Sequence, residues 1–267
     1  MDQLVNYSGL LLIVSGVVGF ISSKLIVNRL RYLSEIFSFI LLIIFLLLRW
    51  NEYIRKMDVN LFLSFPVSSF YEVSVFFVIV SLSIIVFFKK RIPDEGLFSV
   101  ITDFILGSVL LLLNLFGFSS ESKLFLPSLK SYWLIAHVVL SFIAYSMFFT
   151  ATVLSLMSLI KKNSQKERVG LILKIITKGL IVFFIGAIVF GAIWAEYSWG
   201  RFWSWDPKET WAFITLCVYS LLIHFELNNK LNPRLFYSLT IFSFLFVLFT
   251  FLGVNLLFAG LHSYINP

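Results

Sequence analysis

Three side chains in this chain can offer an imidazole: His137, His224 and His262. Each falls inside or at the edge of a long apolar run, where an ionisable group is costly and tends to be functional. A lone histidine in such a run is also commonly a hydrogen-bonded packing residue, so position has to decide. His137 lies five residues, or about 8 Å, inside the start of one run, and His262 lies at the end of another. Between the two histidines, from Trp199 to Trp211, four tryptophans occur in thirteen residues, with Trp194 just before them.

The loop has two local explanations. Tryptophan is enriched at membrane interfaces, and Asp206, Pro207 and Glu209 have the order of a helix start: N-cap, N1 proline and a capping-box carboxylate at N3. Neither explains why the indoles are concentrated in one loop. Their faces give broad rigid contact area, and Gly200 lets backbone approach closely. Arg201 or Lys208 could neutralise anionic groups on a ligand's edge. The candidate platform is therefore Trp194, Trp199, Gly200, Arg201, Trp203, Trp205 and Asp206, and its ligand would be large, flat and apolar with acidic edges. A porphyrin with two propionates has that description. His137 and His262 on the same side would suit six-coordinate heme iron, one imidazole on each axial face.

His224 needs its own account. It lies thirteen residues beyond Trp211, or about 20 Å along a helix, and cannot serve the same site. It is either a packing residue or a ligand whose partner comes from another subunit, because the sequence has no fourth histidine.

The elements that must hold these groups are membrane spans. Of 267 residues, 60% are hydrophobic and 13% charged, half the charge usual in a soluble domain. Runs of roughly 20 apolar residues predict an all-α, polytopic transmembrane helix bundle of eight spans, near 7–27, 32–48, 71–88, 97–118, 132–160, 175–196, 211–228 and 235–260, with an external tryptophan-rich loop. The first run reads as a span rather than a removed signal peptide. The whole chain, 1–267, reads as one transmembrane unit, with an N-terminal four-span part, 1–118, and a C-terminal part, 119–267, that carries the histidines and the loop. The net charge of +7 comes from clusters between spans, which excludes a nucleic-acid surface. Lysines and arginines divide 14 against 7 between the two sides. The positive-inside rule then puts both termini and the tryptophan-rich loop on the outer face. Cys217 is the single cysteine, so any dithiol chemistry belongs to another protein.

The loop resembles the WWD signature of heme-handling cytochrome c assembly proteins, and the chain is similar to the CcsA/ResC family of the system II pathway. Other blocks agree: Leu48-Arg49-Trp50, Phe65-Pro66 and Tyr71-Glu72; Leu126-Pro127, Ser131-Tyr132-Trp133 and His137-Val138; Gly253 to Leu257; and Gly260-Leu261-His262-Ser263-Tyr264. Leu63-Ser64 and Ser69 depart from the family's usual residues. The resemblance implies cytochrome c biogenesis with heme b as cargo. His224, with a histidine of a CcsB/ResB partner, would take heme on the cytoplasmic side. His137 and His262 would hold it at the loop. There an apocytochrome c, kept reduced by a thioredoxin-like protein, would accept it through thioether bonds. The membrane implied is the bacterial cytoplasmic membrane or the plastid thylakoid. No side-chain nucleophile is expected; the chain would act within a holocytochrome c synthase complex by positioning. Three alternatives stand beside this reading: a system I handler of the CcmC type, a heme-free transporter working through Glu35, Glu72 and Asp103, and a purely structural scaffold for the assembly complex.

Overall fold

The computed structural model describes residues 1–21, 25–57, 61–88, 92, 95–118, 130–161 and 166–258. Eight helices among them are long and apolar enough to cross a membrane, and the chain is an all-α integral membrane protein. The chain forms two compact units, 1–126 and 127–267.

The first unit holds α1 (Asp2–Ile21), α2 (Leu25–Met57), α3 (Phe70–Phe88) and α4 (Glu95–Leu115). Lipid supplies no hydrophobic drive between helices, so small residues and hydrogen bonds carry their association. Helix α1 lies against α4 backbone to backbone: a Cβ on Gly107 would stand 2.7 Å from the Gly9 carbonyl oxygen. Ser15 donates to Asp103 at 2.8 Å and Asn114 to Asn6 at 2.7 Å across the same pair. Asp103 is thus a buried acceptor between two helices rather than a solvated span end. Glu35 sits 3.6 Å from Arg31.

Helix α2 is longer than the hydropathy pattern indicates. The basic group Arg49, Arg55 and Lys56 reads as a loop in the sequence, yet helix continues through it. Arg49 and Lys56 find partners, and Arg55 is exposed. The Arg49 guanidinium is buried between Glu52 at 2.9 Å and Glu72 at 3.3 Å, with the Phe45 and Tyr53 rings beside it. Lys56 pairs with Glu52 one turn back, at 2.7 Å. Glu72 also accepts from Tyr53 and from the Ser68 and Ser69 amides, while Ser69 caps the Glu72 amide. One carboxylate therefore starts α3 and neutralises α2.

The second unit holds α5 (Tyr132–Ile160), α6 (Lys166–Phe183), α7 (Gly191–Trp199), α8 (Pro207–Leu227), α9 (Pro233–Leu248) and α10 (Val254–Leu257). A π-helical turn, Phe184–Phe190, joins α6 to α7, and a second, Phe249–Gly253, joins α9 to α10. Helix α5 is the most buried, packed by α6, α7 and α9. Its hydroxyls at Ser141, Thr150, Ser155 and Ser158 donate to their own helix one turn back, so small polar residues can pack without leaving a donor unsatisfied. Phe148 stacks on Tyr219 of α8 at 3.9 Å.

The start of α5, the ends of α7 and α10 and the start of α8 meet at one end of this unit. Lys161, Lys166, Arg168, Lys230 and Arg234 lie toward the other. Ser131 caps α5 through the Trp133 amide at 3.2 Å. Replacing it with alanine should cost about 1 kcal/mol, seen as a lower thermal midpoint in detergent with the absorption of any bound ligand unchanged.

Candidate functional site

The site begins at a carbonyl within a π-turn. An α-helix closes its bonds at i+4. The wider turn at Phe184–Phe190 interrupts that ladder, as π-turns at functional sites do. The Gly186 carbonyl lies 2.9 Å from His137 Nδ1. A carbonyl can only accept, so Nδ1 carries the hydrogen and Nε2 keeps its lone pair. This is the outer-shell arrangement that fixes a metal-ligating histidine in one tautomer and orientation.

Two glycines allow it. A Cβ on Gly186 would collide with Leu140 Cβ, so glycine is what lets the turn lie on α5. A Cβ on Gly191 would stand 3.0 Å from His137 Nδ1. Trp194, 2% exposed, lies parallel to the imidazole with centroids 6.0 Å apart, and Trp199 packs edge-on against Trp194 at 4.8 Å. Gly191→Ala tests this support. Alanine gains about 1 kcal/mol of helix propensity, which offsets the crowding, so stability should hold. The methyl presses on the imidazole, and the expected signal is a shifted absorption band of any chromophoric ligand held there.

The loop is built from both ends. Gly200, at φ +70°, ends α7 and its amide donates to the Glu196 carbonyl at 2.8 Å. At the other end Asp206 caps the Lys208 amide at 3.1 Å, Pro207 takes N1, and Glu209 closes the capping box. Glu209 does more than cap. Its Oε2 accepts from the Ser204 amide at 2.8 Å, the Asp206 amide at 3.2 Å and the Ser204 hydroxyl at 3.3 Å. Thr210 donates to the Trp205 carbonyl at 3.2 Å. Trp205 is thereby held at φ +59°, a left-handed conformation that costs a residue with a Cβ about 1–2 kcal/mol.

The tryptophans consequently divide their work. Trp194 and Trp199 stand behind His137. Trp203 is half-buried and faces a cavity, and Trp205 is 66% exposed. Trp211 belongs to α8 and packs on Phe249 at 4.1 Å. Arg201 is exposed on the loop, whereas Lys208 lines the cavity with His137. That cavity, about 50 Å³, is also bounded by Gly191, Trp203, Glu209 and Thr250. Among the described residues no three histidine, cysteine or acidic side chains form a metal cage. His262 lies outside the described residues. His224 is exposed near the far end of α8, its ring 3.4 Å from Asn228 Nδ2, and is not part of this cluster.

The residues that sequence reasoning missed are Gly186, Gly191 and Thr250. Nothing local marks them, since glycine and threonine are ordinary in membrane helices and a π-turn has no composition of its own.

Residues 67–262 match the family described as Cytochrome C assembly protein. The chain is 32% identical over 248 residues to the cytochrome c biogenesis protein CcsA of Chlamydomonas reinhardtii, covering 85% of this chain and 66% of that one. It is 39% identical over 155 residues to the protein NrfI of Wolinella succinogenes, covering 52% of this chain and 16% of that one. It thus spans just under two thirds of the first relative's length and a small part of the second's. In fold it is similar to the cytochrome c heme lyase CcmF, with a TM-score of 0.68 at 14% identity, over 94% of this chain and 45% of that one.

Proposed function

Since the chain belongs to the cytochrome c assembly protein family, we propose that it binds heme b beside His137 and presents it at the tryptophan-rich loop for covalent attachment to apocytochrome c. The observation that carries this reading is the His137 Nδ1–Gly186 carbonyl bond, which leaves Nε2 directed by the protein as an iron ligand. His262 is the second axial ligand in this reading. It follows the last residue of α10 by five positions, within about 18 Å of extended chain, and the family match runs to it.

The attachment needs no oxidant. The sulfur of a reduced apocytochrome cysteine bonds to one carbon of a heme vinyl group and the thiol hydrogen moves to the other. This chain contributes position and a water-poor aromatic setting rather than a nucleophile. The basic residues away from the site, Lys161, Lys166, Arg168, Lys230 and Arg234, mark the cytoplasmic end by the positive-inside rule. The loop then faces the outside of a bacterial cytoplasmic or thylakoid membrane. His224, exposed toward the cytoplasmic end, is available to a ligand shared with a CcsB/ResB-type subunit. A thioredoxin-like protein keeps the apocytochrome thiols reduced.

The reading is tested by expressing the chain with its partner in cells that lack it, and by purifying the pair. Heme covalently bound to c-type cytochromes should appear only when the chain is present, and the purified protein should show the ferrous spectrum of bis-histidine heme. A colourless protein, with cytochrome c made equally well in its absence, would overturn it.

A further inference from the structure

The cavity beside His137 contains a polar pair that the heme-ligand assignment leaves unused. Glu209 is 8% exposed, and while its Oε2 holds the loop, its Oε1 is buried with no hydrogen-bond partner among the described residues. A buried carboxylate oxygen without a donor is costly. Lys208, the preceding residue, lines the same cavity, its Nζ 3.5 Å from Asn255 Oδ1. Thr250 lines it too, but its hydroxyl already donates within its own helix and to the Trp211 carbonyl. Beside the Tyr145 hydroxyl, which also lines the cavity, the open valences on this wall are one acceptor, Glu209 Oε1, and the ammonium hydrogens of Lys208.

The occupant must donate to one and accept from the other. It must also be small, since the cavity of about 50 Å³ has room for only a few waters, at roughly 10–15 Å³ each. A carboxyl group that keeps its proton meets all three conditions. Its O–H donates to Glu209 Oε1 and its second oxygen accepts from Lys208 Nζ. The ammonium and carboxylate of the pocket cancel, so a neutral carboxyl adds no uncompensated charge to a buried place. Resting on the reading of His137 as a heme ligand, we propose that Lys208 and Glu209 form the seat of one heme propionate. This seat, and not exposed Arg201, would then fix the rotation of the porphyrin about the iron–His137 axis and so decide which vinyl edge reaches the loop.

The test uses the full chain in detergent, titrated with ferrous heme and with its dimethyl ester, which lacks both the acid hydrogen and the small carboxyl end. Binding is read from the Soret band. Wild type should prefer heme to the diester by tenfold or more, the order expected for a hydrogen bond to a charged group. Lys208→Met should lower heme affinity about tenfold and leave diester affinity within a factor of three, removing the preference. A role confined to packing would weaken both ligands equally. Equal affinity of wild type for the two, or equal loss of both in Lys208→Met, overturns the propionate seat while the heme reading stands. No Soret band with either ligand overturns both.

Discussion

Alanine at His137 should remove the bis-histidine absorption of bound heme and, with it, cytochrome c maturation. The loss should be close to complete, because no other described histidine lies near the loop. The fold should barely notice. His137 is half-buried and gives up a neutral hydrogen bond to Gly186, a net cost of about 1 kcal/mol. Thermal midpoint and spectrum should therefore separate, with a small change in the first and a large one in the second. Imidazole added to the variant should restore part of the band by filling the space of the missing ring. An unchanged spectrum in His137→Ala would refute the axial assignment, and the Gly186 bond would then be a packing contact.

Glu209→Ala should produce the second large effect, this time through the loop. One carboxylate oxygen accepts from the Ser204 and Asp206 amides and from the Ser204 hydroxyl, on either side of a left-handed Trp205. Removing it leaves buried donors unsatisfied, a cost of about 3 kcal/mol. Of the hydrogen bonds that fix the strained residue, the one from Thr210 to its carbonyl then remains. Heme retention should fall sharply, and tryptophan emission should shift as Trp203 and Trp205 reach a different environment. Glu209→Gln keeps a carbonyl oxygen at N3 and with it the capping geometry, so the loop and its emission should survive. A Glu209→Ala protein with the emission and stability of wild type would show that the loop is fixed by other contacts.

The two predictions differ in where their signal lies within the sequence. Glu209 belongs to a motif spanning four residues, Asp206 to Glu209, and its capping role is readable there. Its reach back to Ser204 is not, because only the folded loop brings that amide to the same oxygen. His137 could be singled out as one of three histidines in apolar runs. Its tautomer could not, since the carbonyl that sets it is 49 positions away and lies in a π-turn that has no residue pattern.

The sequence by itself determined the membrane class, the eight spans, the helix start at Asp206 and the concentration of indoles. These depend on composition and on short-range periodicity, which the bilayer and the backbone translate directly into helix. Tertiary structure alone decided the rest. Helix α2 runs through Arg49 because Glu72, on another helix, neutralises its charge in a buried place. Trp194 supports an imidazole while Trp205 is exposed, because backbone conformation and neighbours, not residue type, set where an indole points. Lys208 faces the cavity and Arg201 does not, because the one is on the first turn of α8 and the other on the loop. Spacing along the chain names the groups that can do chemistry, but their partners come from helices distant in sequence, and those partners fix which atom of each group is left to do it.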